Sequence, residues 1–244
     1  MIRRFTQLLV GLFLYGIAIS MMVQAVIGID PWDVLTQGVS LHTHIQFGWL
    51  TNIIGLAVLL LWIPIRQRPG IGTVLNVLLI GPSAQLGLTI IPVQHVLWVQ
   101  ILLFAGGVVL LAIATGLYIG ARFGPGPRDG LMTGIHRRTG WPIWIVRTSI
   151  EVSVLLIGWA LGGDFGAGTV AFALAIGPLV QITMPLFNVP EPGQKREPIT
   201  FARPRMPRLG RRPTSTNPNW AAASPVPSER WPFGVPESQL PPRT

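Results

Sequence analysis

Two aspartates in a repeated motif are the residues of this sequence best suited to chemistry. Asp33 lies in GIDPWDVLTQG, residues 28 to 38, and Asp129 lies in GPGPRDGLMTG, residues 124 to 134. A polar side chain follows each aspartate by one helical turn, Gln37 in the first copy and Thr133 in the second. Carboxylates in apolar surroundings bind protons, sodium ions or cationic groups. The paired motifs therefore indicate a binding site for a proton, an ion or a solute.

Helix capping is the simpler interpretation of the same aspartates. Asp30 suits the N-cap position, Pro31 suits the first helical position, and Asp33 at N3 can accept hydrogen bonds from free backbone amides. The sequence predicts a short amphipathic helix in each half, which either lies flat at the membrane surface or enters the membrane as a re-entrant half-helix. Capping and binding both remain open for Asp33 and Asp129.

A Gly-Pro pair followed by a glutamine recurs at equivalent positions of two apolar stretches. Proline removes its own amide donor and displaces the carbonyl four residues earlier, which in a bilayer needs another partner. The repeated feature predicts either ordinary kinks with satisfied glutamines or a shared binding site near the membrane centre. The residues are Gly81, Pro82 and Gln85 in the first half and Gly177, Pro178 and Gln181 in the second.

Glu151 is the one acidic residue well inside a predicted span. An ionisable group at such a position is by default a functional hypothesis, and proton coupling is the function it would supply. Arg147 lies four residues earlier on the same helical face, so a local ion pair is the simpler explanation. The equivalent residues of the first half are Thr51 and Gly55, so any chemistry at Glu151 belongs to the second half alone.

Several classes of function are excluded or disfavoured by composition. The chain has no cysteine, which removes thiol catalysis and disulfides, and it contains no recognisable phosphate-loop, dinucleotide or hydrolase motif. His42, His44 and His95 lack metal-ligand spacing. We therefore expect no enzymatic activity, no cofactor and no metal site. The formal charge of +9 is concentrated after Asn188 and in short connections, a distribution typical of membrane orientation and not of nucleic-acid binding.

Six apolar stretches must position these residues, and the bilayer is their expected partner. Half of the 244 residues are hydrophobic and 11% are charged, whereas a soluble domain has about 25% charged residues. A membrane-spanning helix needs roughly 20 apolar residues. The sequence thus predicts an all-α integral membrane protein with spans at residues 5 to 27, 47 to 65, 71 to 91, 96 to 120, 142 to 161 and 166 to 187.

The spans divide into two copies of a three-helix repeat, residues 1 to 94 and 95 to 189. Because each copy has an odd number of spans, the second copy inserts in the opposite orientation, which gives a 3+3 inverted repeat. Lys and Arg occur on alternate connections, so both termini are expected in the cytoplasm. The Asp33 motif then faces the outside and the Asp129 motif the cytoplasm. Residues 190 to 244, rich in Pro and Arg, are predicted to form a disordered cytoplasmic tail.

The repeated motifs resemble those of the YczE-like group of the YczE/YyaS/YitT bacterial membrane proteins. The resemblance rests on GIDPWDVL at residues 28 to 35, on RDG at residues 128 to 130, and on Gly-x-Gly-Thr with Ile-Gly-Pro in both halves. It covers residues 5 to 187 and implies a multi-span protein of the bacterial cytoplasmic membrane. It does not imply a substrate or a reaction.

Permease-like transport of a small solute is the leading functional hypothesis from the sequence. Broken helices paired in inverted repeats are a feature of transporters, with a site near the midplane for a solute and for a coupling proton or sodium ion. An accessory or regulatory membrane protein without transport activity is the alternative. A bundle of 3+3 spans is a small protomer, so the sequence leaves a homodimer open as the unit that encloses a path.

Overall fold

The computed structural model describes residues 1 to 187, and within that range the chain forms helices and no strand. The predicted tail at residues 190 to 244 lies outside the described residues. The helices are α1 Ile2–Ala25, α2 Pro31–Thr43, α3 Phe47–Leu60, α4 Trp62–Ile65, α5 Ile71–Ile90, α6 Leu97–Gly120, α7 Pro127–Thr139, α8 Ile143–Ala160 and α9 Ala167–Phe187.

Six helical segments are long and apolar enough to cross a membrane, as predicted from the sequence. They are α1, α3 continued by α4 as Phe47–Ile65, α5, α6, α8 and α9. Many large apolar side chains on their outer faces are exposed, for example Leu174 at 74% and Trp144 at 67%. An apolar surface of this extent is typical of a protein surrounded by lipid. The all-helical, six-span membrane class is therefore confirmed.

Helices α1 and α6 pack against each other at the centre of the bundle, with α5 against α1 and α9 against α6. Small residues bring the central pair close. A Cβ added at Gly11 would lie 2.8 Å from the backbone nitrogen of Tyr118, and one added at Gly107 would lie 2.8 Å from Cγ of Met22. Gly11 and Gly107 occupy equivalent positions of the sequence repeat. In each copy, a glycine without a side chain thus allows the backbones of α1 and α6 to approach closely.

The connections that precede α2 and α7 are held by the far half of the chain. Gly28 and Gly124 begin the two motifs with φ of 113° and 121°, a region that glycine adopts without a steric penalty. The amide of Ile29 donates to Thr169 Oγ1 at 3.1 Å, and Thr73 Oγ1 donates to the carbonyl of Pro125 at 2.7 Å. The connection before α2 is thus bonded to the start of α9, and the connection before α7 is bonded to the start of α5, in each case a helix of the other copy.

The two halves differ at the contact between their second and third spans. The amide of Gly48 on α3 donates to Gln85 Oε1 at 3.1 Å, and Asn52 Oδ1 accepts from the amide of Gly81 at 3.1 Å, so α3 lies tightly on α5. A Cβ at Gly81 would overlap Asn52 and Gly48. At the equivalent Gly177 on α9, a Cβ would meet nothing within 4 Å. Helix α8 therefore does not make the close contact with α9 at Gly177 that α3 makes with α5 at Gly81.

A glycine and a tryptophan at equivalent positions explain where α8 goes instead. Gly158 places the backbone of α8 directly against Leu35 and the first turns of α2. Its counterpart Trp62 fills the corresponding space with an indole ring that packs on Gly130 and donates from Nε1 to the carbonyl of Pro127 at 3.0 Å. A missing side chain allows α8 to contact α2 closely, whereas the indole separates α7 from the second span of the first half.

Candidate functional site

The N-terminal ends of α2 and α7 meet inside the helix bundle. Asp30 is the N-cap of α2, and its Oδ1 accepts from the amides of Trp32 at 2.7 Å and Asp33 at 2.9 Å. Pro31 occupies the first helical position, so the predicted cap and helix start are both confirmed. Gly126 stands at the N-cap of α7 and has no side chain that could do the same. The two helix starts are therefore chemically unlike.

Arg128 of the second motif joins the carboxylates of the first. Its Nη1 donates to Asp30 Oδ2 at 3.0 Å, and its Nη2 lies 3.6 Å from Asp33 Oδ1. The guanidinium carbon lies 5.1 Å from the centre of the Trp32 ring, within cation–π distance. One guanidinium thus spans two carboxylates and an aromatic face at the point where the helices meet.

Asp33 is completely buried, and within the described residues neither carboxylate oxygen has a hydrogen-bond partner. Asp33 does not reach back to the backbone amides, because Asp30 already accepts from them. Arg128 is therefore the one cation near the buried Asp33 carboxylate among the described residues.

Asp129 lies on the opposite side of Arg128 and has a different environment. Its Oδ2 accepts from the hydroxyl of Tyr118 at 2.8 Å. Tyr118 makes an edge-to-face contact with Tyr15, with ring centres 6.0 Å apart. In the part of the chain that the structure describes, Asp129 has no basic side chain within ion-pair distance. The carboxylate is thus hydrogen-bonded and without a positive partner.

A cavity of about 440 Å³ opens beside this cluster. Its wall includes the acidic residues Asp30, Asp129 and Glu151 and the basic residues Arg128 and Arg147. The remaining surface is aromatic and apolar, with Gln181 and Gly177 on the α9 side. The volume is that of a small-molecule site, and its wall combines apolar side chains with charged and polar ones. The gap between α8 and α9 is what leaves this space open.

A much smaller cavity, of about 70 Å³, lies at the equivalent place in the first half. The large cavity includes Arg147, Glu151 and Ile176, and the small one includes their repeat counterparts Thr51, Gly55 and Ile80. Both cavities share five residues of the central cluster. These are Tyr15, Trp32, Tyr118, Arg128 and Asp129. The cluster therefore separates two related spaces, one wide and one nearly closed.

Four of the residues predicted from the sequence line the large cavity. Glu151 Oε1 accepts from Arg147 Nε at 3.0 Å, so the local ion pair is present and lies at the cavity wall. The four residues are Asp129, Glu151, Gly177 and Gln181.

The other predicted residues lie outside the large cavity. Gln37 Oε1 accepts from the amide of Asp164 at 2.7 Å, and Thr133 donates to the carbonyl of Gly130 within its own helix. Helices α5 and α9 continue through Pro82 and Pro178 without a break in helix assignment. Asn52 approaches the carbonyl of Leu78, four residues before Pro82, with its Nδ2 at 3.5 Å. The residues that do not line this cavity are Asp33, Gln37, Thr133, Gly81, Pro82, Gln85 and Pro178.

The sequence interpretation gave no site role to Arg128 or to the two tyrosines. Arg128 stands where the first copy has Trp32, and a cation in place of an aromatic ring at a repeated position was the available signal. Tyr15 and Tyr118 are the only tyrosines of the chain, and both lie in predicted spans. Their meeting depends on the close packing of α1 against α6, which no local pattern reports. In residues 1 to 187, no group of three His, Asp or Glu side chains could hold a metal ion.

The sequence is similar to proteins of two bacteria, Haemophilus influenzae and Bacillus subtilis. The family described as "Family of unknown function (DUF6198)" matches residues 2–185. An uncharacterized protein of Haemophilus influenzae is 40% identical over 174 residues, which is 71% of this chain and 80% of the relative. The uncharacterized membrane protein YczE of Bacillus subtilis is 33% identical over 187 residues, 76% of this chain and 87% of the relative. YyaS of the same organism is 25% identical over 183 residues, 72% of this chain and 90% of the relative. No solved structure matches.

Proposed function

We propose that this chain, which belongs to the YczE-like family DUF6198, transports a small solute across the bacterial cytoplasmic membrane. The observation that carries the proposal is the cavity of about 440 Å³ within a six-span bundle, with the charged cluster around Arg128 in its wall. Burying charges in a membrane protein is energetically unfavourable, and such charges mark ion and substrate pathways. An accessory or regulatory protein needs neither the cavity nor the cluster.

The transport proposal includes an inverted repeat with both termini in the cytoplasm. It is supported by the matched bonds of Thr169 and Thr73 to the two motif connections and by the distribution of Lys and Arg. In this arrangement α2 enters from the outside and α7 from the cytoplasm as re-entrant half-helices, and the Arg128–Asp30 pair marks the midplane. Transporters of this type bind their substrates at such a meeting point.

Cysteine labelling at two equivalent threonines tests this topology. Thr43 ends α2 and Thr139 ends α7, both are exposed, and each donates to a carbonyl four residues earlier at 2.9 Å. Because the chain has no cysteine, we expect Thr43→Cys in intact cells to react with a membrane-impermeant maleimide. Thr139→Cys should react only in inside-out vesicles. Labelling of both variants from the same side contradicts the inverted arrangement.

The unequal cavities correspond to one of two states of an alternating-access cycle. Under the proposed topology the large cavity extends toward the cytoplasmic ends of α6, α8 and α9, where Ile119 and Met184 line it. The equivalent space of the first half is closed by the α3–α5 contact. The state is thus inward-facing. An outward-facing state follows when α8 approaches α9 and α3 leaves α5, with the cluster around Arg128 as the fixed site.

Cavity filling tests transport directly. Purified protein is screened for solutes that raise its midpoint of thermal unfolding, since a ligand of the folded state stabilises it by mass action. Uptake of those solutes is then measured in proteoliposomes. Val180→Trp places an indole at the cavity wall and should abolish both stabilisation and uptake, whereas Leu174→Trp on the lipid-facing side of α9 should change neither. Stabilising solutes that are never taken up favour an accessory or regulatory role and contradict transport.

A further inference from the structure

We infer that the large cavity binds a monovalent organic ammonium ion whose charge pairs with Asp129. The inference rests on the proposed transport function and names the class of solute. Its basis is the unequal number of acidic and basic groups in the cavity wall, the aromatic side chains that line the same cavity, and a buried hydrogen-bond donor of the wall that has no partner among the described residues.

The charges of the cavity wall do not balance. Three carboxylates line the cavity, Asp30, Asp129 and Glu151, against two guanidinium groups. Arg128 pairs with Asp30 at 3.0 Å and Arg147 pairs with Glu151 at 3.0 Å, so both cations are already occupied. Among the described residues, only the Tyr118 hydroxyl meets the carboxylate of Asp129. Asp33, which shares Arg128 with Asp30, lies outside the cavity wall. One negative charge of the wall therefore remains for a ligand, and one positive charge on the ligand neutralises it.

The surface around Asp129 favours an organic cation over a bare metal ion. Tyr15, Trp32, Tyr118 and Phe172 line the cavity together with aliphatic side chains of α6 and α9. A small hard cation such as Na⁺ requires several oxygen ligands, as other hard cations do. Aromatic faces instead attract ammonium groups, quaternary ones above all. A volume of about 440 Å³ also exceeds what an ion without organic substituents would fill.

A buried donor at the cavity wall indicates where the rest of the ligand lies. Trp32 is 6% exposed and lines the cavity, yet its Nε1 has no hydrogen-bond partner within residues 1 to 187. An unsatisfied buried donor is unfavourable, so an acceptor supplied by the ligand would stabilise the complex. A hydroxyl or carbonyl oxygen near the ammonium group fits this position. An anionic ligand fits poorly, because it would have to displace Asp30 or Glu151 from its arginine.

The test compares cations with uncharged molecules of the same shape. The full chain in detergent is heated with choline, tetramethylammonium or methylammonium chloride, with NaCl at equal ionic strength, or with 3,3-dimethylbutan-1-ol, the uncharged carbon analogue of choline. We expect at least one organic cation to raise the unfolding midpoint by roughly 3 to 6 °C at ten times its Kd. Equal shifts from the uncharged analogue, or no shift from any of the three cations, overturn the inference.

Two carboxylate variants identify the residue. Asp129→Asn should weaken binding of the same cation at least tenfold, while Asp164→Asn, which removes a carboxylate outside the cavity, should leave binding unchanged. If Asp129→Asn binds the cation with the wild-type affinity, the assignment to Asp129 is contradicted. If Asp129→Asn fails to fold, the comparison of choline with its uncharged analogue in the wild type still decides the inference.

The same assays separate this inference from the proposed function. Binding of an organic cation without uptake into proteoliposomes supports the cation site and contradicts transport. Uptake of neutral or anionic solutes, with no stabilisation by any of the cations, supports transport and overturns the ammonium site.

Discussion

Arg128→Gln should lower the free energy of unfolding by about 3 kcal/mol and reduce uptake of the transported solute to background. Removing one member of a buried ion pair costs roughly 3 to 5 kcal/mol, because the remaining charge stays buried without compensation. The Arg128 side chain is 24% exposed at the cavity, so the lower end of that range applies. Asp30 and Asp33 would then be adjacent carboxylates without a cation, and the meeting point of α2 and α7 would lose both ion pairs that Arg128 forms there in the described structure.

A second substitution separates charge compensation from packing. Asp33→Asn removes a carboxylate that has no hydrogen-bond partner in the described range, so Arg128→Gln combined with Asp33→Asn should recover at least 1 kcal/mol of the loss. Arg137→Gln, an exposed position on the same helix, should change stability by less than about 0.5 kcal/mol. The measurement is reversible unfolding of each variant in mixed micelles. A double variant as unstable as Arg128→Gln alone contradicts the coupling between Arg128 and Asp33.

The spans and the start of α2 could be predicted because local sequence determines them. A run of about 20 apolar residues has few stable alternatives to a membrane-spanning helix. Asp30 and Pro31 likewise act within a few residues of one another, and the N-cap forms as expected, although Asp33 takes no part in it. The Glu151–Arg147 pair is also local, at a separation of four residues. These features require no knowledge of which helices are neighbours.

The composition of the site could not be predicted, because it depends on contacts between distant parts of the chain. Arg128 meets Asp30 across 98 positions of sequence, and Gln37 meets the amide of Asp164 across 127. Periodicity placed Gln37 on the polar face of α2 with Asp33, but Gln37 meets Asp164 and Asp33 meets Arg128, and neither side chain lines the cavity. The repeat predicts equivalent positions, whereas single replacements such as Gly158 for Trp62 decide which pairs of helices come together.

The glycines that precede the prolines within α5 and α9, Gly81 and Gly177, provide the sharpest test of exchange between two states. Gly81→Ala should destabilise the protein by about 1 to 3 kcal/mol, because its Cβ would overlap Asn52 and Gly48 where α3 lies on α5. Gly177→Ala should leave the free energy of unfolding unchanged or raise it by up to about 1 kcal/mol. Its Cβ meets nothing within 4 Å, and alanine favours a helix more than glycine does.

Uptake should nevertheless fall at least tenfold in Gly177→Ala. If α8 must close on α9 as α3 closes on α5, the new methyl group obstructs the outward-facing state and leaves the observed one intact. A methyl group occupies little of the cavity of about 440 Å³, so binding of the solute should persist. A variant with wild-type stability, wild-type binding and little uptake can have lost only the transition between states. Wild-type uptake by Gly177→Ala would mean that α8 and α9 never come together, and the two cavities would then not exchange.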